Sequence, residues 1–104
     1  MGNRQTSSLQ EELRQTRPFG SRAQEASIAI LRTADEVRRR LAAAIEPYGV
    51  TFQQYNVLRI LRGTHPDPLP TLEIGERLIE RTPGITRLLD RLEEKGLVTR
   101  MRDA

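Results

Sequence analysis

The stretch that decides the fold reads Thr82-Pro-Gly-Ile-Thr-Arg-Leu-Leu-Asp-Arg-Leu-Glu-Glu-Lys-Gly96. Threonine followed by proline favours a helix start, with Thr82 as N-cap and Pro83 in the first helical position. Apolar residues then recur at steps of three and four, the spacing of one helix face, and Gly96 is typical of a helix end. The apolar positions are Ile85, Leu88, Leu89 and Leu92. The stretch therefore predicts an amphipathic helix that ends at about Lys95.

A shorter helix is predicted just before this one. Thr71 is a candidate cap for a helix from Leu72 to about Ile79, and Glu80-Arg81 forms the turn that follows. Two helices joined by a tight turn of about three residues make a helix-turn-helix, here over residues of about 72–95. Such hairpins also occur in proteins that never touch DNA, so the spacing alone does not decide function.

Two further helices are predicted upstream. Thr51-Phe-Gln-Gln54 matches a capping box and predicts a helix over about 52–62, followed by a proline-rich surface loop. A long helix over about 21–46 is predicted by a continuous apolar stripe that stops at Pro47. The stripe comprises Ile28, Leu31, Ala34, Val37, Leu41, Ala44 and Ile45. Ile30 extends the stripe sideways, and this width suggests contact with more than one neighbour, such as a second subunit.

The two ends of the chain differ from this helical middle. Residues 1–20 are polar and too poor in apolar side chains for a core of their own, so we expect a flexible N-terminal arm. Residues 97–102 alternate apolar and polar side chains, which predicts a strand. The whole pattern predicts a mainly α protein with a winged helix-turn-helix domain over 21–104 and a minimal or incomplete β wing.

The outward face of the last helix gives the hypothesis of DNA binding. If its apolar residues point inward, then Pro83, Thr86, Arg87, Asp90 and Arg91 face away, near the end that meets base edges in helix-turn-helix proteins. Arginine can fork onto guanine, and the threonine can meet a base edge or a thymine methyl. The segment from Arg81 to Arg102 holds six basic and three acidic residues, so the net charge of +3 of the chain is concentrated there. Alternatively, Arg87 and Asp90 simply pair on a solvated face.

Composition narrows the other classes of function. The chain has 104 residues and no cysteine, so disulfides, zinc-thiolate sites and thiol-based redox sensing are excluded. Its one histidine, His65, lies in the proline-rich loop, and a metal site is not expected. No phosphate-binding glycine loop and no nucleophile–base pair is recognisable, so we expect neither an enzyme nor a cofactor. No apolar run approaches the roughly 20 residues of a membrane span, and the N-terminus lacks the core of a secretory signal. A cytoplasmic protein is the default expectation.

Three segments together resemble the MarR family of winged-helix regulators. They are Thr51-Phe-Gln-Gln-Tyr-Asn-Val-Leu-Arg-Ile-Leu61, Leu72-Glu-Ile-Gly-Glu-Arg-Leu78 and the stretch Thr82-Pro-Gly-Ile-Thr-Arg-Leu-Leu-Asp-Arg-Leu-Glu-Glu-Lys-Gly-Leu-Val-Thr-Arg100. The resemblance implies a homodimeric transcription factor on double-stranded DNA, often a repressor released by a small aromatic effector. It also implies that the chain stops before the wing tip and the C-terminal dimerisation helices.

The resemblance further implies roles for single residues. The DNA-binding candidates, from the resemblance and from the outward face together, are Thr82, Pro83, Thr86, Arg87, Arg91, Arg100 and Arg102. Tyr48 and Tyr55 lie near the junction where a ligand pocket opens in the family, although tyrosines at such junctions more often belong to a core. The competing hypothesis is a protein-interaction module, or a truncated partner subunit that binds DNA weakly and associates through residues 21–46.

Overall fold

The computed structural model of the protein describes residues 8–101, which are mainly α-helical. Five α-helices and one short 3-10 helix follow one another along the chain. They are α1 (Ser8–Glu12), α2 (Arg22–Ile45), the 3-10 helix Glu46–Tyr48, α3 (Phe52–Thr64), α4 (Thr71–Arg77) and α5 (Ile85–Glu94). The chain divides into two compact units, one up to Arg40 and one from Leu41 on.

The first unit holds α1 and most of α2. Of the predicted N-terminal arm, residues 1–7 lie outside the described part, and Ser8–Glu12 form a single short helix. The Glu12 carboxylate lies 3.7 Å from the Arg32 guanidinium, and both side chains are more than half exposed. Such a surface pair contributes at most about 1 kcal/mol. Within residues 8–101, no helix is both long enough and apolar enough to cross a bilayer.

Helix α2 carries its predicted apolar stripe largely uncovered. Ile30, Leu31 and Val37 are 67%, 70% and 50% exposed, and Ile45 at the end of the helix is buried. Isolated apolar side chains on a surface are ordinary, but a row of them along one helix marks a surface suited to a partner.

The second unit begins its three-helix core with α3. The predicted capping box is confirmed: the Thr51 hydroxyl accepts from the Gln54 N–H, and the Gln54 side chain accepts from the Thr51 N–H. The apolar spacing of α3 predicts that Tyr55, Leu58 and Leu61 form its buried face, with Val57 and Ile60 at the edges of that face. This prediction is partly wrong, because Val57 is fully buried whereas Tyr55 and Leu58 are only half-buried. The core therefore centres on the position that the periodicity placed at the edge of the helix face.

Helices α3, α4 and α5 pack their apolar faces together. The buried cluster comprises Val57, Ile74, Leu78, Leu88, Leu89 and Leu92. Three of these six side chains come from α5, and Leu92 is 0% exposed. The predicted inward face of α5 is thus confirmed, with Ile85 half-buried at its start. This packing fixes which side of α5 faces solvent.

The connection between α4 and α5 is longer than predicted. Helix α4 starts at Thr71 with Pro70 as N-cap, so Thr71 is not the cap, and α5 starts at Ile85 with Gly84 as N-cap. Residues 78–84 form the turn. Within it the Thr82 hydroxyl accepts from the Gly84 N–H at 3.2 Å. This hydrogen bond holds Pro83 in a tight turn, so Pro83 is not the first helical residue. The Asn56 amide oxygen, on a buried side chain, accepts from the Ile79 N–H at 2.8 Å and anchors this turn to α3.

The predicted strand over 97–102 is wrong for its described part. Residues 97–101 contain no strand, and the described residues as a whole contain none. An alternating pattern gives a strand only when a second segment offers the ladder of hydrogen bonds, and no described segment does so here. Instead the Arg100 N–H donates to the Glu93 carboxylate at 3.2 Å, which directs the chain back along α5.

Gly75, in the middle of α4, provides a test of the α4–α5 packing. A Cβ added there would meet Ile85 side-chain atoms at 3.8 Å, an ordinary van der Waals distance. Gly75→Ala should therefore raise the free energy of unfolding by roughly 0.5–1 kcal/mol, since alanine loses less conformational entropy in a helix. Urea unfolding followed by circular dichroism measures this change. A destabilisation instead would mean that α4 and α5 approach each other more closely than described.

Candidate nucleic-acid interface

The solvent face of α5 presents two arginines that have no ion-pair or hydrogen-bond partner among residues 8–101. Thr86, Arg87, Asp90 and Arg91 are all exposed, as predicted from the inward positions of the leucines. Arg87 and Arg91 are four residues apart and so lie on the same side of the helix. Neither side chain forms an ion pair or a hydrogen bond to any residue in 8–101. Both guanidinium groups are therefore available to a ligand.

Asp90 pairs with Arg100 and not with Arg87. The Arg100 Nη1 lies 2.8 Å from the Asp90 Oδ1, and Arg100 Nη2 donates to the Thr86 carbonyl at 2.8 Å. The alternative reading of Arg87, as half of a solvated ion pair with Asp90, is thereby contradicted. Arg100, which the resemblance to the MarR family places at the start of the wing, lies along α5 with its side chain 30% exposed. Its role as a DNA contact stays a prediction.

The basic residues around α5 therefore fall into two groups. Arg81 lies near the Glu76 carboxylate at 3.7 Å, Arg100 is paired, and the Lys95 ammonium donates to the Gly49 carbonyl and the Gln54 side chain. Arg87 and Arg91 remain as the unpaired cations of the described segment. A count of charges along the sequence treats all of these residues alike, so it locates the positive segment without identifying the face that carries its field.

The N-terminal end of α5 is open to an anion. Its N-cap, Gly84, has no side-chain cap, and Pro83 and Gly84 are exposed while Thr82 is half-buried. The first N–H groups of a helix lack partners within the helix, and the helix dipole favours negative charge there. This end, with Thr86 and Arg87 directly after it, has the chemistry needed to hold a phosphate while side chains meet base edges.

The remaining predicted site residues are placed as follows. Tyr48 is 81% exposed in the short 3-10 helix, and Tyr55 is half-buried in α3. Arg102 lies outside the described residues. The part of the chain that the structure describes contains no group of histidine and carboxylate side chains arranged to hold a metal ion.

Two sets of side-chain contacts were not predicted from the sequence. The buried Asn56 amide oxygen accepts from the Ile79 N–H, and the Lys95 ammonium donates to Gly49 and Gln54, more than 40 residues earlier in the chain. No local signal marks these contacts, because Gln54 and Asn56 are two residues apart and do not share a face of α3. Their partners depend on tertiary packing, which no spacing along the sequence specifies.

Two helices joined by a turn, with exposed arginines on the second helix, are the arrangement that helix-turn-helix proteins present to DNA. The family model described as MarR family matches residues 50–104, which is more than half of the chain. The chain therefore belongs to the MarR family of winged helix-turn-helix transcription regulators. No curated protein and no solved structure matches the chain, so this assignment rests on the family match together with the fold.

Proposed function

We propose that the protein is a sequence-specific DNA-binding regulator that acts in the cytoplasm as a ligand-responsive, homodimeric repressor. The observation that supports it best is the pair Arg87 and Arg91, which are exposed on the outward face of α5 and form no ion pair or hydrogen bond within the described residues. In the major groove Arg87 would read guanine, Thr86 would meet the neighbouring base, and Arg91 would contact phosphate. Pro83 and Thr82 would approach the backbone at the start of the helix.

DNA binding is tested by fluorescence anisotropy with duplexes from upstream of the protein's own gene and with scrambled duplexes of the same composition. A specific reader should prefer one native duplex by about 10³-fold or more. Even two neutralised phosphates predict roughly a tenfold loss of affinity for a fourfold rise in salt concentration. Equal, weak binding to native and scrambled duplexes would contradict the proposal.

The homodimer is supported by the uncovered apolar stripe on α2. Ile30 and Leu31 are each about two-thirds exposed, and burial of such side chains contributes about 1.5–3 kcal/mol each. A two-fold interface would use the same stripe from both subunits. Analytical ultracentrifugation should give the mass of a dimer for the native chain and of a monomer for Leu31→Glu.

The effector is expected to be a small aromatic molecule near Tyr48 and Tyr55. The ring of Tyr48 is almost fully exposed, so an aromatic ligand or a second subunit could stack on it without displacing core residues. Arg100 and Arg102 would lead towards the minor groove, with the first of them held along α5 as described.

The second candidate is a protein-interaction module that captures a partner subunit. It is favoured by one observation, that residues 97–101 form no strand while the stripe on α2 is uncovered. Such a chain would associate through residues 21–46 and bind DNA weakly. The anisotropy experiment separates the two candidates, because only the regulator prefers native DNA, whereas both candidates associate through α2.

A further inference from the structure

The only lysine of the chain connects α5 to a distant backbone segment. Lys95 is the C-cap residue of α5, and its Nζ donates to the Gly49 carbonyl and to the Gln54 Oε1, the latter at 2.9 Å. These two acceptors precede Lys95 by 46 and 41 residues. The contact therefore joins the end of α5 to the segment 49–54, which runs from the end of the 3-10 helix into the first turn of α3.

Both acceptors are held in place by contacts that do not involve the lysine. Gly49 ends the 3-10 helix with a left-handed backbone (φ 73°), a conformation in which glycine is favoured. The Gln54 side chain is 4% exposed, and its Oε1 already accepts from the Thr51 N–H at 3.1 Å in the capping box. An ammonium between two fixed oxygens forms charge-assisted hydrogen bonds, which are stronger than neutral ones.

We propose that Lys95 is a positioning residue that fixes the tilt of α5 by tying its C-terminal end to the segment 49–54. The proposal rests on the proposed function of α5 as the helix that reads DNA. Helix α5 has only 10 residues and is about 15 Å long, so a small displacement at Lys95 moves Thr86 and Arg87 relative to the bases. Arg100 holds the other half of the helix through the Thr86 carbonyl and Asp90.

Two simpler roles make different predictions for Lys95. A lysine that contacts phosphate would lower the salt slope by about one when its charge is removed, and equally for all duplexes. A lysine that only stabilises the fold would change the melting temperature and leave the binding of the folded protein intact. A positioning lysine leaves the salt slope unchanged and lowers the preference for the specific duplex over a scrambled one.

The first arm of the test compares Lys95→Met with the native chain on DNA. The probe is the duplex that the native chain enriches most from a random-sequence pool, with a scrambled duplex as reference, titrated over a salt series where both proteins are folded. We expect the preference to fall about three- to tenfold with the salt slope unchanged, and Arg59→Met, which removes an equal charge from an exposed position on α3, to keep the preference. An unchanged preference, with or without a lower slope, would overturn the proposal.

The second arm needs no DNA. Gln54→Glu keeps an acceptor for the capping box and places a carboxylate beside the ammonium, so Lys95→Met should lower the melting temperature more in this background than in the native one. Equal shifts of the melting temperature in the two backgrounds would show that Lys95 and Gln54 do not interact. If the shifts differ but the native chain enriches no duplex, then the proposed function fails and the contact between Lys95 and Gln54 stands. If the shifts differ but Lys95→Met keeps the DNA preference, then the contact exists and only its role in positioning α5 is refuted.

Discussion

Replacing Arg87 with alanine is expected to weaken binding to the specific duplex by about 1–3 kcal/mol and to relax the preference at one base position. Arg87 is exposed on the first turns of α5 and makes no ion pair within the described residues, because Asp90 is engaged by Arg100. Its guanidinium is therefore free to donate two parallel hydrogen bonds to guanine O6 and N7. Anisotropy titrations against duplexes that differ at single positions measure both effects.

Two control variants separate base reading from charge. Arg87→Lys keeps the positive charge but loses the planar fork, so it should keep the salt slope and lose the preference. Arg59→Ala removes the same charge from an exposed position of α3 and should reduce the affinity for all duplexes alike, and only slightly. If Arg87→Ala binds the specific duplex with native affinity and native preference, Arg87 does not read a base.

Replacing Leu92 with alanine is expected to lower the free energy of unfolding by about 2–5 kcal/mol. The side chain is 0% exposed and lies in the buried cluster shared by α3, α4 and α5, so truncation removes apolar contacts and leaves a cavity. A small domain is stable by only about 5–15 kcal/mol, so the loss is a large part of the total. Urea unfolding followed by circular dichroism gives the difference directly.

Leu72 provides the matched control for this core substitution. It lies in α4 with 81% of its surface exposed, so Leu72→Ala is the same chemical change without a cavity. The expected change is within about 0.5 kcal/mol. A Leu92→Ala variant no less stable than Leu72→Ala would show that α5 does not pack on the other two helices as described.

Local patterns predicted the parts of the fold that local chemistry determines. The Thr51–Gln54 capping box, the start of α3 and the inward leucines of α5 follow from spacings of three and four residues, and the structure confirms them. The outward position of Arg87 follows from the inward leucines by elimination. The exposed face of the candidate site therefore follows from the spacing of residues in α5 and needs no tertiary contact to be predicted.

Hydrogen bonds and ion pairs that residue spacing does not encode account for what the sequence did not predict. The start of α5 at Ile85 accompanies a local hydrogen bond from the Gly84 N–H to the Thr82 hydroxyl. Residues 97–101 return along α5, where Arg100 contacts Asp90 and the Thr86 carbonyl. The alternation over 97–102 describes what a strand would bury, but it does not supply a partner strand. The distinction between paired and unpaired arginines likewise appears only in three dimensions.

The unpaired side chains on α5 have a consequence for how such a protein can diversify. Within the described residues, no side-chain hydrogen bond or ion pair is formed by Thr86, Arg87 or Arg91. The Arg100 guanidinium contacts Thr86 only through its backbone carbonyl, which every amino acid possesses. Mutation at these three positions therefore leaves the folding determinants intact. Selection can exchange one target sequence for another without first acquiring compensating stabilising changes, and a library randomised at these positions should consist mainly of folded members.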